Sequence, residues 1–304
     1  MTISTRTLDT SSLHDSVQAD RLVLFSPAKL NLFFRVLRKR EDQFHEIASL
    51  FQAVDLGDYL HILKAEEDVL TCTDHRIPTD SSNLVIKAAE LFRKKTGIPA
   101  FAHFHIEKNI PIEAGLGGGS SNLASTLWGL RCLYAPYLSV KTLKDWASEI
   151  SSDGPFFFSS GRAYCRGRGE IIEDIPEYQK QSLWIAKPVE GLSTPSVYKN
   201  CKPDLLPQRD PAEILKSFTS GNPSYFNDLE VSAFTLLPKL AFLKKKLLSL
   251  GFTEVIMTGS GTAFFCVSEK KIEPKLDGIQ FFPVHFIYRT TDEWYKRLPL
   301  TSNL

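Results

Sequence analysis

Apolar and polar residues alternate along parts of the chain and recur at helical spacing along others. In residues 101–108 the side chains alternate between apolar and polar, which is the two-residue period of a half-buried strand. From Ser121 onward, Leu123, Leu127 and Leu130 recur at the spacing of one helix face, which predicts a helix. The full pattern predicts strands over residues 22–36, 59–63, 101–108, 162–165, 183–186, 254–257 and 263–267 and helices over residues 84–95, 121–134, 141–150 and 236–250. Strands and helices follow one another irregularly, so we predict an α+β fold and not a regular parallel wind.

A glycine-rich segment joins a predicted strand to a predicted helix: residues 111–122 read Pro-Ile-Glu-Ala-Gly-Leu-Gly-Gly-Gly-Ser-Ser-Asn. Four glycines and two serines fall within the seven positions 115–121, just before the predicted helix. Glycine permits positive φ and the close approach of an anion, and a helix N-terminus offers unpaired backbone N–H groups. Ser120 and Ser121 can cap the helix or bond phosphate oxygens. The segment therefore predicts a phosphate-binding loop.

Two common nucleotide-binding motifs do not fit this segment. A P-loop requires Gly-x-x-x-x-Gly-Lys-Ser/Thr, and no lysine follows these glycines. A dinucleotide-binding loop requires Gly-x-Gly-x-x-Gly, and Ser120 stands at the third glycine position. From the residues alone, two interpretations remain: a phosphate loop of another kind, or a flexible glycine turn with a capping serine.

Three segments, in the same order along the chain, resemble those of the GHMP kinases, the small-molecule kinases related to galactokinase, homoserine kinase and mevalonate kinase. They are residues 26–32 (Ser-Pro-Ala-Lys-Leu-Asn-Leu), 111–122 and 258–263 (Thr-Gly-Ser-Gly-Thr-Ala). The resemblance runs from about residue 22 to about residue 268. It implies a two-domain GHMP kinase fold, with a ribosomal-protein-S5-like N-terminal domain, a ferredoxin-like C-terminal domain and the active site in the cleft between them.

The chain is predicted to divide into three parts. Residues 1–20 are rich in Ser and Thr, carry three aspartates and lack an apolar core, so we expect a flexible tail and neither a signal peptide nor an acid-poor transit peptide. Residues 21–160 are expected to form the N-terminal ATP-binding domain and residues 161–304 the C-terminal domain. The boundary is placed where the Phe-rich segment gives way to Ser-Ser-Gly.

Three further segments narrow the resemblance to family members that phosphorylate a cytidine diphosphate-linked methylerythritol. They are residues 42–45 (Asp-Gln-Phe-His), 83–89 (Asn-Leu-Val-Ile-Lys-Ala-Ala) and 151–155 (Ser-Ser-Asp-Gly-Pro). The resemblance implies transfer of phosphate from ATP, with Mg²⁺, to the 2-hydroxyl of that small molecule in non-mevalonate isoprenoid biosynthesis. Gln43 stands where these members have glycine, residues 151–152 where they have Gly-Ala, and Gly154 where they have valine. None of these departures removes a reactive group.

Asp153 and Lys29 are the predicted catalytic residues. Asp153 lies in a short turn from which a carboxylate can reach a cleft, although locally it could equally be a turn or cap residue. Lys29 lies within the apolar run of residues 28–32, where burying an ammonium requires a nearby anion unless the side chain is on a solvated face. The resemblance implies that Asp153 is the base and that Lys29 lies beside it and stabilises charge on the transferred phosphoryl group. Asn31, two residues on and on the same strand face, is expected to position the acceptor.

The remaining binding residues are implied by the resemblance. For ATP they are Asn83, Pro111, Ala114, Gly115, Leu116, Gly117, Gly118, Gly119, Ser120 and Ser121, with Asn83 near the adenine. For the acceptor they are Phe44, His45, Thr194 and Tyr198, where the two aromatics would stack on cytosine and His45 would bond its polar edge. His45 could instead be an ordinary packing histidine. Residues 258–260 would form a second glycine turn beside the phosphates, or simply an ordinary hairpin.

Composition narrows the classes of protein to which the chain could belong. With 304 residues, 43% of them hydrophobic, and a net charge of +1, the chain has no electrostatic bias toward nucleic acid or membrane surfaces. No apolar stretch is long enough to span a bilayer. The five cysteines are widely spaced without Cys-x-x-Cys, which predicts reduced thiols in a cytoplasm. We expect a monomer or weak dimer, and the alternatives are another GHMP kinase, of the homoserine or mevalonate type, or a catalytically silent nucleotide-binding regulator.

Overall fold

The computed structural model of the protein describes residues 20–177 and 182–296. The predicted tail therefore lies outside the described residues, apart from Asp20. In chain order the strands are β1 (Arg21–Lys39), β2 (His45–Lys64), β3 (Val69–Cys72), β4 (Ala102–Glu107), β5 (Arg162–Gly167), β6 (Ile171–Asp174), β7 (Ser182–Pro188), β8 (Phe226–Asn227), β9 (Glu254–Met257), β10 (Phe264–Val267) and β11 (Ile279–His285). The α-helices are α1 (Leu84–Thr96), α2 (Gly118–Tyr134), α3 (Val140–Ile150), α4 (Thr194–Asn200), α5 (Pro211–Thr219), α6 (Glu230–Leu236) and α7 (Lys239–Ser249).

The long antiparallel pair of β1 and β2 forms the centre of the first sheet. Its strand order is β3-β4-β2-β1-β8, and β5 pairs with β2 and with β6. Residues 24–36 of β1 are buried without interruption, so this strand is covered on both faces. Ser26, Lys29, Asn31 and Arg35 are buried among its apolar side chains. Helices α1, α2 and α3 contribute to one apolar core with this sheet. The second sheet has the order β11-β7-β10-β9, and α6 and α7 contribute to a core with it.

The α+β architecture predicted from the sequence is confirmed, but three element predictions are wrong in extent. The strand predicted over residues 59–63 is only the end of β2. The earlier part of β2 was not predicted, because it contains polar side chains that are buried in the folded protein. The helix predicted over residues 236–250 is α7, which begins only at Lys239 after the N-cap residue Pro238. Leu236 is instead the last residue of α6. Helix α2 begins at Gly118 and not at Ser121, so Gly118 and Gly119 form its first turn.

Two segments extend the first sheet and its core beyond residue 160. Strands β5 and β6 follow that position and pair with the first sheet, which therefore reaches Asp174. Near the end of the described chain, Trp294 and Tyr295 belong to the same apolar core as α2. The Trp294 indole donates to the Phe25 carbonyl at 2.9 Å. The boundary at residue 160 stays a prediction.

Two further predictions from the sequence concern the cysteines and membrane-spanning segments. All five cysteines are free thiols, as predicted. In the described ranges, none of the helices combines the length with the apolar composition that crossing a bilayer requires.

Candidate active site

A cavity of about 1010 Å³ is lined by the glycine-rich loop, the start of β2, the turn that follows α3 and residues of the second glycine turn. The predicted site residues that line it are Lys29, Phe44, His45, Asn83, Pro111, Ala114, Gly115, Leu116, Gly117, Gly118, Gly119, Ser120, Asp153, Thr194 and Tyr198. Asn31 and Ser121 are fully buried, so their side chains lie beneath the cavity surface. The structure thus brings nearly all of the predicted residues together around one space.

The N-terminus of α2 faces this cavity through its glycines. Gly117 is the N-cap residue and has φ 72°, a left-handed conformation that glycine adopts without strain. The Ser121 N–H donates to the Gly117 carbonyl at 2.9 Å. The N–H groups of Gly118, Gly119 and Ser120 precede that bond and have no acceptor within the helix. Together with the helix dipole, these groups give this end of the cavity the chemistry to accept an anion.

The second glycine turn packs directly against the glycine-rich loop. A Cβ atom on Gly261 would lie 2.0 Å from the Gly115 nitrogen, and one on Gly115 would lie 2.0 Å from the Thr258 carbonyl oxygen. Glycine at these two positions allows the two backbones to touch. Gly259 and Ser260 line the cavity, whereas Thr258 is buried and its hydroxyl accepts a hydrogen bond from the Asn31 N–H at 3.1 Å. The turn therefore supports the loop from behind as well as contributing to the wall.

Lys29 is buried and lies between two polar partners. Its Nζ atom lies 3.4 Å from Asp153 Oδ2 and donates to Asn31 Oδ1 at 2.7 Å. The Lys29 residue is only 3% exposed, so the alternative of a solvated strand face is wrong. The Lys29 N–H donates to the Leu116 carbonyl at 2.9 Å, which ties β1 to the glycine-rich loop. Asn31 in turn donates through Nδ2 to Ser49 Oγ at 3.0 Å, and this bond fixes the orientation of its amide.

Asp153 presents its carboxylate to the cavity. It precedes a 3₁₀-helix over Gly154–Phe158 and makes no side-chain capping hydrogen bond there. Its side chain is 31% exposed, so the carboxylate is accessible to a ligand. The glycine at position 154 fits this turn, because a Cβ atom there would lie 3.3 Å from both the Cβ and the carbonyl oxygen of Ala147.

The other end of the cavity is aromatic. The ring centroids of His45 and Tyr198 lie 5.2 Å apart with an interplanar angle of 36°, and Phe44 is 51% exposed. Burial, together with the nearby Lys39 ammonium, lowers the pKa of the His45 imidazole. Burial also raises the pKa of the Tyr198 phenol, so both rings are neutral near pH 7.

Three other predicted residues use their polar atoms in local hydrogen bonds. Asn83 caps α1, because its Oδ1 atom accepts from the Val85 N–H at 2.9 Å. The Ser120 hydroxyl bonds that of Ser151 at 2.8 Å, and Thr194 bonds the Ser260 hydroxyl at 2.8 Å. These bonds join the glycine-rich loop to the Asp153 turn, and α4 to the second glycine turn.

Sequence reasoning missed several charged residues of the site. Lys108 lines the cavity, and its Nζ atom donates to the fully buried Asp58 carboxylate at 2.9 Å. Asp58 also accepts from Asn122 Nδ2 at 3.1 Å. The same argument that singled out Lys29, a charge within an apolar strand, could have found Asp58. Arg168 lines the cavity too. The only feature of the sequence that could have indicated its place in a turn at the site is the glycine on either side of it.

Comparison with known proteins gives concordant results. Residues 83–161 match the model described as GHMP kinases N terminal domain. A protein of Protochlamydia amoebophila named 4-diphosphocytidyl-2-C-methyl-D-erythritol kinase is 46% identical over 277 residues, which cover 91% of this chain and 93% of that protein. A chloroplastic protein of the same name from Arabidopsis thaliana is 40% identical, with coverage of 93% and 78%. A crystal structure of 4-(cytidine 5'-diphospho)-2C-methyl-D-erythritol kinase superposes with a TM-score of 0.73 at 31% identity and covers 87% of this chain and 99% of that one.

The fold, the glycine-rich loop at the start of α2 and these matches define the class: the chain belongs to the GHMP kinase family. The extent of the similarity to the bacterial and plant relatives is decisive, since it covers both sheets and most of each partner. Within the family, the group to which the chain belongs is that of the 4-diphosphocytidyl-2-C-methyl-D-erythritol kinases.

Proposed function

We propose that the chain transfers the γ-phosphoryl group of ATP to the 2-hydroxyl of 4-diphosphocytidyl-2-C-methyl-D-erythritol, giving ADP and the 2-phosphate. One observation carries this proposal: a single cavity joins an anion site at the start of α2, the Lys29–Asp153 pair and an aromatic end formed by Phe44, His45 and Tyr198. Such an arrangement suits an acceptor with a base at one end and a hydroxyl at the other. Homoserine and mevalonate have no base to stack.

The Lys29–Asp153 pair supports in-line phosphoryl transfer. Asp153 is the acid nearest to the buried ammonium and is accessible from the cavity, so it can accept the proton of the attacking hydroxyl. Lys29, held by Asn31 and Asp153, places a fixed positive charge next to the reacting groups. Preorganised charge of this kind stabilises the transition state, since no reorientation is required during the reaction.

The glycine-rich loop supplies the ATP phosphate site. The free N–H groups of Gly118, Gly119 and Ser120 are proposed to bond phosphate oxygens, and Gly117 allows the backbone to turn into the helix. Asn83, at the start of α1, lines the same cavity and is proposed to lie near the adenine. Ser121 is proposed to contribute by holding the first turn of α2 in place, because its side chain is buried and its N–H donates to the Gly117 carbonyl.

The residues present also fit Mg²⁺ bound mainly by ATP. Within residues 20–177 and 182–296, no group of three or more His, Cys, Asp or Glu side chains could hold a metal ion. Kinases commonly bind Mg²⁺ through one or two carboxylates and substrate phosphates. Glu113 lines the cavity beside the glycine-rich loop, and we propose that its carboxylate would complete the coordination. When bound, the ion neutralises charge on the phosphate oxygens.

The aromatic end is proposed to bind cytosine. Phe44 offers an exposed ring face, and Tyr198 lies against His45. A neutral imidazole can donate with one nitrogen and accept with the other, which suits the polar edge of the base. Thr194, at the start of α4, lines this side of the cavity next to Ser260.

An assay of ADP release tests the function directly. The protein is supplied with ATP, Mg²⁺ and, in separate reactions, 4-diphosphocytidyl-2-C-methyl-D-erythritol, homoserine or mevalonate. We expect turnover with the cytidine-linked acceptor and only background hydrolysis with the other two. Preferred turnover of homoserine or mevalonate would contradict the proposed acceptor, and ATP binding without turnover of any acceptor would favour a regulatory protein.

A further inference from the structure

Arg168 lies between the two ends of the proposed acceptor site. It occupies the turn from β5 to β6, where Gly167 has φ 71° and Gly169 has φ 120°, backbone conformations that favour glycine. On one side, a Cβ atom on Gly169 would lie 3.7 Å from Asp153 Oδ1, so the turn abuts the proposed base. On the other side, the Arg168 guanidinium carbon lies 5.0 Å from the ring centroid of Phe44.

The positions of the neighbouring charges leave Arg168 suited to a further anion. Two other cations of the cavity have close acidic partners: Lys29 lies near Asp153, and Lys108 is bonded to buried Asp58. The Glu170 carboxylate accepts from the Arg168 backbone N–H at 2.6 Å. The side chain of Arg168 approaches that carboxylate less closely, with Nε 3.6 Å from Oε1, which is longer than a hydrogen bond. Its side chain is 31% exposed and lines the cavity.

The acidic residue on the Phe44 side is already paired. Asp42 accepts from Arg40 at 3.0 Å, and that hydrogen bond lowers the pKa of the Asp42 carboxyl, with a smaller contribution from Arg168. Asp42 is therefore shared with Arg40, and Glu170 compensates the Arg168 guanidinium only across 3.6 Å. An anionic ligand group between Phe44 and Asp153 would supply the compensation.

We propose that Arg168 binds the diphosphate that links cytidine to the polyol of the acceptor. This inference rests on the proposed function, which puts the base at Phe44 and the reacting hydroxyl at Asp153. The diphosphate of such a molecule lies between those two groups by covalent structure, and the turn that carries Arg168 lies close to both residues. A guanidinium offers two parallel N–H donors to phosphate oxygens and can stack on an aromatic ring at the same time.

The site thus contains two phosphate-binding devices of different chemistry. The ATP phosphates meet backbone N–H groups at the start of α2, whereas the acceptor diphosphate meets a side-chain cation held on Phe44. Lys39 and Lys199 also line the aromatic end but are exposed, so their ammonium groups are more strongly solvated. Arg168 is the cation whose surroundings fix its position.

Calorimetric titration of cytidine and of cytidine 5'-diphosphate, with the ATP site saturated by a non-hydrolysable ATP analogue, separates base binding from phosphate binding. We expect the wild-type protein to bind the diphosphate at least about tenfold more tightly than the nucleoside, the effect of a charge-assisted hydrogen bond. Arg168→Gln should remove most of that preference while cytidine affinity changes little. Arg168→Lys, which keeps the charge without the planar fork, should give an intermediate preference.

Arg166→Gln is the matched control. Arg166 lies in the same hairpin, but its guanidinium packs over the Tyr164 ring at 5.7 Å and lies 3.9 Å from Glu173. This variant should keep the wild-type preference for the diphosphate. In steady-state assays, Arg168→Gln should raise the acceptor KM with ATP KM and kcat nearly unchanged, because the contact is equal in ground and transition states.

Two outcomes would overturn the inference, and they are distinguishable. If folded Arg168→Gln protein keeps the full preference for the diphosphate, another cation binds it, and the proposed function is untouched. If the wild-type protein binds neither cytidine nor its diphosphate, the base site itself is wrong, and both the acceptor assignment and the role of Arg168 fail.

Discussion

Lys29 and Asp153 lie 3.4 Å apart in the wall of the cavity, with side chains that are 4% and 31% exposed, respectively. The lysine is therefore the fixed member of the pair, and the carboxylate is the member that a substrate can reach. Breaking a buried charge pair leaves the remaining charge uncompensated. This asymmetry guides the first two predictions.

Asp153→Asn should lower kcat by about two to four orders of magnitude, the usual scale for a general base, with little change in ATP KM. Steady-state kinetics with both substrates measure this effect. Asp145→Asn is the control, because Asp145 is exposed on α3 and pairs with Lys141. Turnover within a few fold of wild type in Asp153→Asn would show that Asp153 only shapes its turn.

Asn31→Ala should lower kcat more than it raises the acceptor KM, because Asn31 is buried and holds Lys29. The unpaired groups left behind should also reduce the free energy of unfolding by about 1–3 kcal/mol. Kinetics and urea unfolding measure the two effects. A rise in acceptor KM with unchanged kcat would instead support direct contact between Asn31 and the acceptor.

Gly261→Ala should lower both stability and ATP affinity, because its methyl group would meet the Gly115 nitrogen at 2.0 Å and separate the two glycine turns. Gly221→Ala is the comparison, since it has φ 85° but no atom within 4 Å of its Cβ position. That control should cost only the left-handed strain, about 1 kcal/mol. Equal losses in the two variants, measured by thermal unfolding and ATP titration, would show that the turns separate without consequence.

Phe44→Ala should weaken acceptor binding by about 1–3 kcal/mol, the range for stacking on a base, and leave ATP binding unchanged. Phe242→Ala is the matched control, because Phe242 is 65% exposed on α7. Acceptor KM and cytidine titration measure the change. Equal acceptor KM values for the two variants would rule out stacking on Phe44.

His45 should make stability depend on pH in a specific direction. Burial lowers its pKa in the folded protein, so below the unfolded value of about 6.5 the unfolded chain binds more protons, and stability falls as pH falls. His45→Gln should lose less stability than wild type between pH 8 and pH 5. Urea unfolding across that range measures the difference, and parallel curves for the two proteins would contradict it.

The sequence predicted the structure best where a structural requirement acts on neighbouring residues and so affects the local composition. The mainly apolar strand β1 and the glycines at the start of α2 could be predicted directly, because burial on both faces and close backbone approach each affect local composition. The early part of β2 could not, since Asp58 and Gln52 are buried there through partners distant in sequence. Hydrogen bonds and ion pairs between residues distant in sequence produce no periodic pattern of apolar and polar positions.

The candidate site was likewise predictable only where neighbouring residues carry the pattern. Only the family resemblance predicted that Lys29 and Asp153 lie close together. No local sequence pattern relates two residues that are so far apart along the chain. The support that Asn31 gives to Lys29 depends on Ser49 and Thr258, which lie on other elements. Arg168 was missed because its significance comes from Phe44 and Asp153, which lie on either side of it only in the folded protein.

The bond from Trp294 to the Phe25 carbonyl has a consequence for biosynthesis. Trp294 packs against Trp128 of α2 with ring centroids 5.1 Å apart, so the apolar core that contains α2 is completed by one of the last described segments. During translation, domains generally fold as units from the N-terminus. Here the N-terminal unit must leave the ribosome with an open apolar surface at Trp128, which is covered only after the second sheet has been synthesised.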